Sequence, residues 1–373
     1  MGDSSGKYGT AERRWAGVGP YYAMFPVEFA DHVIKKYTSS GDTILDPFSG
    51  RGTAIFSAAT KGRNGIGVEL NPVGWVYSQA KLHPATQDDV IQRVREIGRL
   101  AARRRSEPHL PDFFSWCFSL TVQQFLLTAR KHLRWRHSRV DCTLMALLLV
   151  NMHGKREASL SNQMRQTKSM APDYAVNWWK ERKLSPPDVD PIEFMEKRIR
   201  WRYAKGVPAK SESFVYLGDS RARLRDVEKR ANRRSLPSAM LLLTSPPYCG
   251  ITNYHYDQWL RLWLLGGQPN ALAVPGRYRG KFTDQKKYEQ LLFNVFSRAQ
   301  PLLDKSAVIY VRTDHREITL KMTTDVLKHV FPTKRMFRYT RRIEKPTQTH
   351  LFKNKIKKSA EVDVVLLPRS KAI

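Results

Sequence analysis

The stretch from Asp42 to Pro72 constrains this chain most. Asp42-Thr43-Ile44-Leu45 has the character of a short buried strand, and Asp46-Pro47-Phe48-Ser49-Gly50-Arg51-Gly52-Thr53 follows it. Gly50 and Gly52 allow a tight turn and a close approach of a ligand to the backbone. A helix from Ala54 to Thr60 is predicted to start at that turn. Gly65-Ile66-Gly67-Val68-Glu69 then reads as a second apolar strand that ends in an acid. An acid at that place can accept hydrogen bonds from both hydroxyls of a ribose. Strand, glycine turn, helix and acid-ended strand together make a mononucleotide-binding half. The fold class predicted is α/β, a doubly wound Rossmann-like sheet.

A second motif lies far downstream. Pro237-Ser238-Ala239-Met240-Leu241-Leu242 is an apolar run of strand length, and Leu243-Thr244-Ser245-Pro246-Pro247-Tyr248 succeeds it. Two consecutive prolines cannot continue a sheet, because each lacks an N–H and each fixes its own φ. The chain is therefore expected to leave the strand at Ser245 in a rigid extended loop. Such a loop presents carbonyl oxygens, one hydroxyl and one aromatic face, which suits a planar base bearing an amino group. In a doubly wound sheet of order 3-2-1-4-5, strand four lies beside strand one, and ligands bind past the carboxyl ends at that switch point. Asp46 and Ser245, about 200 residues apart, are thereby expected to be neighbours.

Paired in this way, Asp46-Pro47-Phe48-Ser49-Gly50-Arg51-Gly52-Thr53 and Thr244-Ser245-Pro246-Pro247-Tyr248 resemble the S-adenosylmethionine-dependent DNA amino-methyltransferases. The Ser-Pro-Pro-Tyr form is most similar to the N4-cytosine branch; adenine enzymes more often carry Asp or Asn where Ser245 stands. The resemblance covers residues near 20–84 and 211–373. It implies a seven-stranded methyltransferase sheet and S-adenosylmethionine as cofactor. Asp46, Phe48, Gly50, Gly52, Thr53 and Glu69 are the cofactor candidates, joined by Asp219, which the family pattern sets beside the adenine amine at the end of strand three. Ser245, Pro246, Pro247 and Tyr248 are the catalytic candidates, with Ser245 and a nearby carbonyl accepting from the amine and Tyr248 stacking on the ring. Cys249 does not directly follow a proline, so it does not match the nucleophile of the carbon-5 cytosine enzymes. His255 and Asp257 are read as pocket-lining or helix-capping residues ahead of Trp259, Leu262 and Trp263, with a general-base role for His255 the alternative.

Residues 85–210 interrupt the alternation of strands and helices. Helical spacing is predicted over Asp88 to Arg103, Thr121 to Leu133, Cys142 to Met152 and Pro191 to Tyr203. This reads as a mostly helical inserted domain between the two parts, 1–84 and 211–373, of a methyltransferase domain. The polar stretch Ser161 to Lys168 in the insert lacks an apolar period. Asn162, Gln163, Arg165, Gln166 and Lys168 are its candidates for reading DNA, since Asn and Gln suit adenine edges and Arg suits guanine edges. Residues 1–14, rich in Gly and Ser, are expected to be mobile. A segment around Tyr21 to Phe29, leading into a helix through Lys36, corresponds to one that closes over the methionine end of the cofactor in the family.

The formal net charge of +30 predicts a polyanionic partner. Residues 331–373 hold 12 Lys/Arg against 3 Asp/Glu and mark a phosphate-contacting edge. The longest apolar run, Leu144 to Val150, is too short to span a bilayer, and Met1 to Gly6 has no signal-peptide core. Cys117, Cys142 and Cys249 show no Cys-x-x-Cys spacing, which argues for a reducing cytoplasm and against a zinc site. The expected protein is a bacterial or archaeal DNA cytosine-N4 methyltransferase of a restriction–modification system. It is expected to act on double-stranded DNA beside a cognate endonuclease. Adenine-N6 methylation is the nearest alternative, and an RNA methyltransferase or a catalytically inactive DNA-binding protein are more distant ones. No metal is expected.

Overall fold

Short β-branched and apolar runs bounded by Gly, Pro and Asp dictate the strands of this chain, and seven form among the described residues. In the computed structural model, which describes residues 8–20, 26–104, 109–209, 212–234, 238–249, 254–271, 284–341 and 360–369, they are β1 Thr43–Asp46, β2 Asn64–Glu69, β3 Phe214–Leu217, β4 Ala239–Thr244, β5 Leu303–Asp314, β6 Arg335–Arg341 and β7 Glu361–Leu367. One sheet holds them in the order β3-β2-β1-β4-β5-β7-β6. β3, β2, β1, β4 and β5 are parallel neighbours, whereas β7 runs antiparallel to both β5 and β6. This is the doubly wound α/β sheet expected, with its chain reversal between β1 and β4.

Alternation along the strands builds a core on each face. Leu45, Leu242, Ile309 and Leu366 pack with Leu224, Phe296 and Leu327 from the helices Ser220–Arg234, Gln285–Ala299 and Glu317–Val330. Ile44, Leu241, Leu243 and Val308 pack with Val33, Ile34, Ala54 and Ala58 from the helices Val27–Tyr37 and Thr53–Thr60. β6 is an edge strand, and its exposed Arg335, Arg338 and Arg341 blunt that edge against further strand pairing.

The chain divides into two compact units. The sheet unit comprises Ala23–Trp75, Ala209–Asn253 and Pro275–Ile373; the other comprises Met1–Tyr22, Val76–Pro208 and Tyr254–Val274. The second unit is helical and takes in more than residues 85–210. Two further segments group with it for a packing reason. Trp15 is fully buried, packs edge-on against Tyr203 at 5.1 Å and donates to the Gly206 carbonyl. Trp259 and Trp263 complete an aromatic cluster with Phe113 and Phe114, at ring separations of 4.9 and 4.6 Å. Residues 11–16 are thus a helix capped by Thr10, not the mobile segment expected there.

Inside this unit the predicted helices form as Gln87–Ala102, Leu120–His132, Arg139–Asn151 and Pro191–Tyr203. Residues 141–151 are buried throughout, as an all-round apolar helix must be. Asp112–Cys117 and Pro172–Glu181 are additional helices that the spacing did not suggest. No helix among the described residues is long and apolar enough to cross a membrane, and no His/Cys/Asp/Glu cluster there fits a metal ion.

Candidate active site at the carboxyl ends of the strands

The glycine turn after β1 is set by its own backbone. Gly50 and Gly52 hold φ of +54° and +73°, and Gly52 is the left-handed cap from which the helix Thr53–Thr60 begins. A side chain on Gly50 would find open space, so the turn faces an unfilled region. Ser49 fastens the turn by donating from Oγ to the Asp46 carbonyl at 2.8 Å, and its N–H reaches the Val68 carbonyl at 3.0 Å. Gly67 allows this closeness, since a Cβ there would lie 2.4 Å from Ser49 Oγ. Phe48 packs edge-on against Phe296.

Two buried carboxylates flank the turn. Glu69, at the end of β2, accepts from the Gly50 N–H at 2.6 Å and from the Asn71 N–H at 2.7 Å. Burial pushes its carboxyl up to about 8, against those two hydrogen bonds. Asp46, at the end of β1, accepts from the Phe48 N–H at 3.1 Å, and burial pushes it up to about 7. Asp219, just past β3, is part-exposed and paired with Arg221 at 2.5 Å. Gly218 before it has φ +142° and donates to the Glu69 carbonyl at 2.9 Å, so the ends of β2 and β3 are stitched together.

The Pro-Pro loop leaves the sheet where expected, since β4 ends at Thr244. Thr244 Oγ1 donates to Asp46 Oδ1 at 2.6 Å, a contact spanning 198 residues of sequence. The carboxyl end of β4 is therefore bonded directly to that of β1. Ser245, Pro247 and Tyr248 are half-buried, and Pro246 and Cys249 are buried. Burial raises the Cys249 thiol, which fits a packing residue rather than a nucleophile.

Two residues here escaped the sequence reading. Thr244 stood in the Thr-Ser-Pro-Pro-Tyr motif without a role of its own. Gly74 lies in the helix Pro72–Leu82, where a Cβ would fall 2.4 Å from the Gly50 carbonyl oxygen. Its signal is a glycine in the first turn of a helix directly behind the β2 acid.

The helical unit treats the polar stretch differently from the expectation. Asn162 is fully buried: its Nδ2 donates to the Trp116 and Leu184 carbonyls at 3.1 and 2.9 Å, and its Oδ1 accepts from the Gln163 N–H. A side chain so committed holds the loop's shape and is not presented to a base. Gln163 is half-buried and accepts from the Arg156 N–H. Arg165 and Gln166 are exposed, and Gln166 donates to the Val150 carbonyl. Lys168 pairs with Asp257 at 2.6 Å, which gives Asp257 a structural partner inside this unit. The buried Arg261 guanidinium supports the loop from beneath through the Leu149 carbonyl, the Gln166 carbonyl and Gln258. The side chain of His255 and residues Lys353, Lys355, Lys357 and Lys358 lie outside the described residues, as do Tyr21 to Phe25.

A mostly parallel sheet whose strand order reverses between β1 and β4, with an antiparallel β7 and with a glycine turn and a Pro-Pro loop joined at that reversal, defines a Rossmann-like methyltransferase fold. Comparison with known proteins narrows the class. The family model described as DNA methylase matches residues 3–74. The chain is 37% identical over 275 residues to the type II methyltransferase M.BsoBI of Geobacillus stearothermophilus, covering 66% of this chain and 52% of that protein. It is 31% identical over 81 residues to the type II methyltransferase M.MjaII of Methanocaldococcus jannaschii, covering 22% of this chain and 14% of that one. Among solved structures, TrmN from Thermus thermophilus is similar at a TM-score of 0.34 and 10% identity, covering 95% of this chain and 51% of TrmN. These matches make the chain similar to DNA amino-methyltransferases, enzymes whose methyl donor is S-adenosylmethionine, and they span about half or less of the curated relatives' length.

Proposed function

We propose that the protein is a site-specific DNA methyltransferase that methylates the exocyclic N4 of cytosine, working beside a restriction endonuclease of the same specificity. The observation that carries this reading is the Thr244–Asp46 hydrogen bond. It joins a loop suited to holding an amino-bearing base to a turn suited to holding a nucleoside cofactor. The residues present fit S-adenosylmethionine: open space at Gly50, the left-handed Gly52, and the buried acid Glu69 whose oxygens each retain acceptor capacity. Asp46, Phe48, Gly50, Gly52, Thr53, Glu69 and Asp219 are the residues that would hold it. For Asp219 this requires sharing its carboxylate with Arg221.

When bound, S-adenosylmethionine supplies a methyl group activated by its sulfonium. The remaining work falls to the chain. An exocyclic amine is a poor nucleophile because its lone pair is delocalised into the ring. Ser245 and a carbonyl near Pro246 accept its hydrogens and favour a pyramidal nitrogen, so catalysis is positioning plus electrostatics. A base in duplex DNA must first be flipped, at a cost of a few kcal/mol. Stacking on Tyr248 offsets ~1–3 kcal/mol of it. For DNA contact, Arg165 and Gln166 are the outward-facing members of the 162–168 stretch, and Asn162 shapes the loop behind them.

Mass spectrometry of nucleosides from DNA treated with protein and labelled cofactor tests the reading. N4-methylcytosine is the expected product. N6-methyladenine would retain the family and overturn the base, and labelled RNA with unlabelled DNA would overturn the substrate.

A further inference from the structure

The loop after β4 is held from a second side, by the carboxyl end of β5 and the amino end of β7. Arg312 of β5 stands directly opposite Asp363 of β7, and two residues along, on the same face of the sheet, Asp314 stands opposite Glu361. Arg312 grips Asp363 with two nitrogens, at 2.7 and 3.0 Å, and reaches Glu361 at 3.3 Å with its third. Asp363 is fully buried and also accepts from the Tyr310 hydroxyl at 2.8 Å and from Arg341 at 2.7 Å. The Arg312 guanidinium lies 3.5 Å over the ring of Phe29. Asp363 and Phe29 therefore fix the Arg312 fork, Tyr310 and Arg341 fix Asp363, and the fork in turn holds one oxygen of Glu361. The other oxygen, Oε1, faces the Tyr248 hydroxyl at 3.5 Å. One residue further along the loop, the Cys249 carbonyl accepts from Arg316, which is itself locked onto Asp314 at 2.6 and 2.9 Å.

We propose that Glu361 is a positioning residue for Tyr248: held by Arg312, it accepts from the Tyr248 hydroxyl and sets the ring plane against which the target base stacks. The inference rests on the stacking role proposed for Tyr248. At 3.5 Å the contact is long for O–H···O, as hydrogen bonds in active sites often are before substrate binds and tightens them. Arg316 keeps the neighbouring backbone in place, so little but the ring itself has to move. An ordered ring costs the base less on stacking than one that must first be ordered. The hydroxyl of Tyr248 thus has a task that stacking alone would not give it.

Four variants and two measurements test this. Glu361→Ala removes the acceptor, Glu361→Gln keeps one, Tyr248→Phe removes the donor, and the double variant combines Glu361→Ala with Tyr248→Phe. The first measurement is methyl transfer from labelled S-adenosylmethionine to unmethylated plasmid DNA, with cofactor affinity followed by calorimetry. Glu361→Ala and Tyr248→Phe are each expected to lower kcat/KM for DNA roughly tenfold, short of the ~100-fold that a 1 Å misplacement of a reacting group costs. Glu361→Gln should recover most of that loss, the double variant should be no worse than Tyr248→Phe, and cofactor affinity should not change. Losses that multiply in the double variant, or a loss of cofactor affinity in Glu361→Ala, would overturn the positioning role. The second measurement is fluorine NMR of protein with Tyr248 replaced by 3-fluorotyrosine, without DNA. Its resonance should move on Glu361→Ala whether or not the protein methylates DNA. An unmoved resonance overturns the contact itself, whereas a moved resonance in a protein without methyl transfer overturns the proposed function.

Discussion

Asp46 and Glu69 are carboxylates that burial keeps near neutrality, at about 7 and about 8. Their ordinary values are 3.8 and 4.5, so between about pH 4 and 8 the folded state holds protons that the unfolded chain has released. Their contribution to stability therefore falls as pH rises through that window. Thermal unfolding of the ligand-free protein should show this fall, and Glu69→Gln should flatten it; an equally steep fall in the variant would free Glu69 of responsibility. Glu69→Ala should also weaken S-adenosylmethionine binding while the protein stays folded, as calorimetry can read. Ser245→Ala should leave cofactor affinity intact and lower turnover, because the lost acceptor matters most as the amine pyramidalises. Full turnover in that variant would remove Ser245 from the mechanism. Tyr248→Ala should weaken target DNA binding by ~1–3 kcal/mol, the worth of one base–aromatic stack. On stacking alone Tyr248→Phe would be silent, and the Glu361 contact is why it is not expected to be.

At the scale of elements, the glycine turn depends on the helix behind it. Gly74→Ala would place a Cβ 2.4 Å from the Gly50 carbonyl, which is backbone and cannot swing aside. The turn must shift, and the expected outcome is weaker cofactor binding with an unchanged circular-dichroism spectrum. Unchanged affinity in the calorimeter would show that the turn tolerates the displacement. In the helical unit, Asn162→Ala would leave the Trp116 and Leu184 carbonyls short of a donor in a buried place. A loss of about 1–3 kcal/mol in denaturant unfolding is expected, the usual penalty of an unsatisfied buried group. A substitution at a base-reading residue would instead leave stability alone.

For the whole molecule, the charge of +30 would make the proposed DNA binding an exchange of counterions. Affinity should fall steeply and linearly on a log–log plot against salt. Arg165→Ala should reduce the slope by about 1 if it meets a phosphate. Removing Lys353, Lys355, Lys357 and Lys358 together should flatten it further, given the basic excess of residues 331–373. A slope that none of these substitutions alters would place the phosphate contacts elsewhere on the chain.

What the amino-acid sequence determined by itself was local. The Asp46–Thr53 turn, the acid closing β2, the strand ending before Ser245 and the helices Gln87–Ala102, Leu120–His132, Arg139–Asn151 and Pro191–Tyr203 all follow from backbone chemistry and periodicity within a few residues. The neighbourhood of Asp46 and Ser245 was legible too, because the rules of doubly wound sheets allow few orders. Tertiary structure decided the rest. The helix Ser220–Arg234 carries only Leu224 and Val227 as fully buried apolar anchors in a highly charged run, so its pattern was faint. Trp15 and Trp263 joined the helical unit through partners distant in sequence. Asn162 looked like a surface base reader until two carbonyls, 46 and 22 residues away, claimed its amide. Glu361 met Tyr248 because β7 runs antiparallel to β5 in one particular register, and a one-residue slip would have turned its side chain to the opposite face.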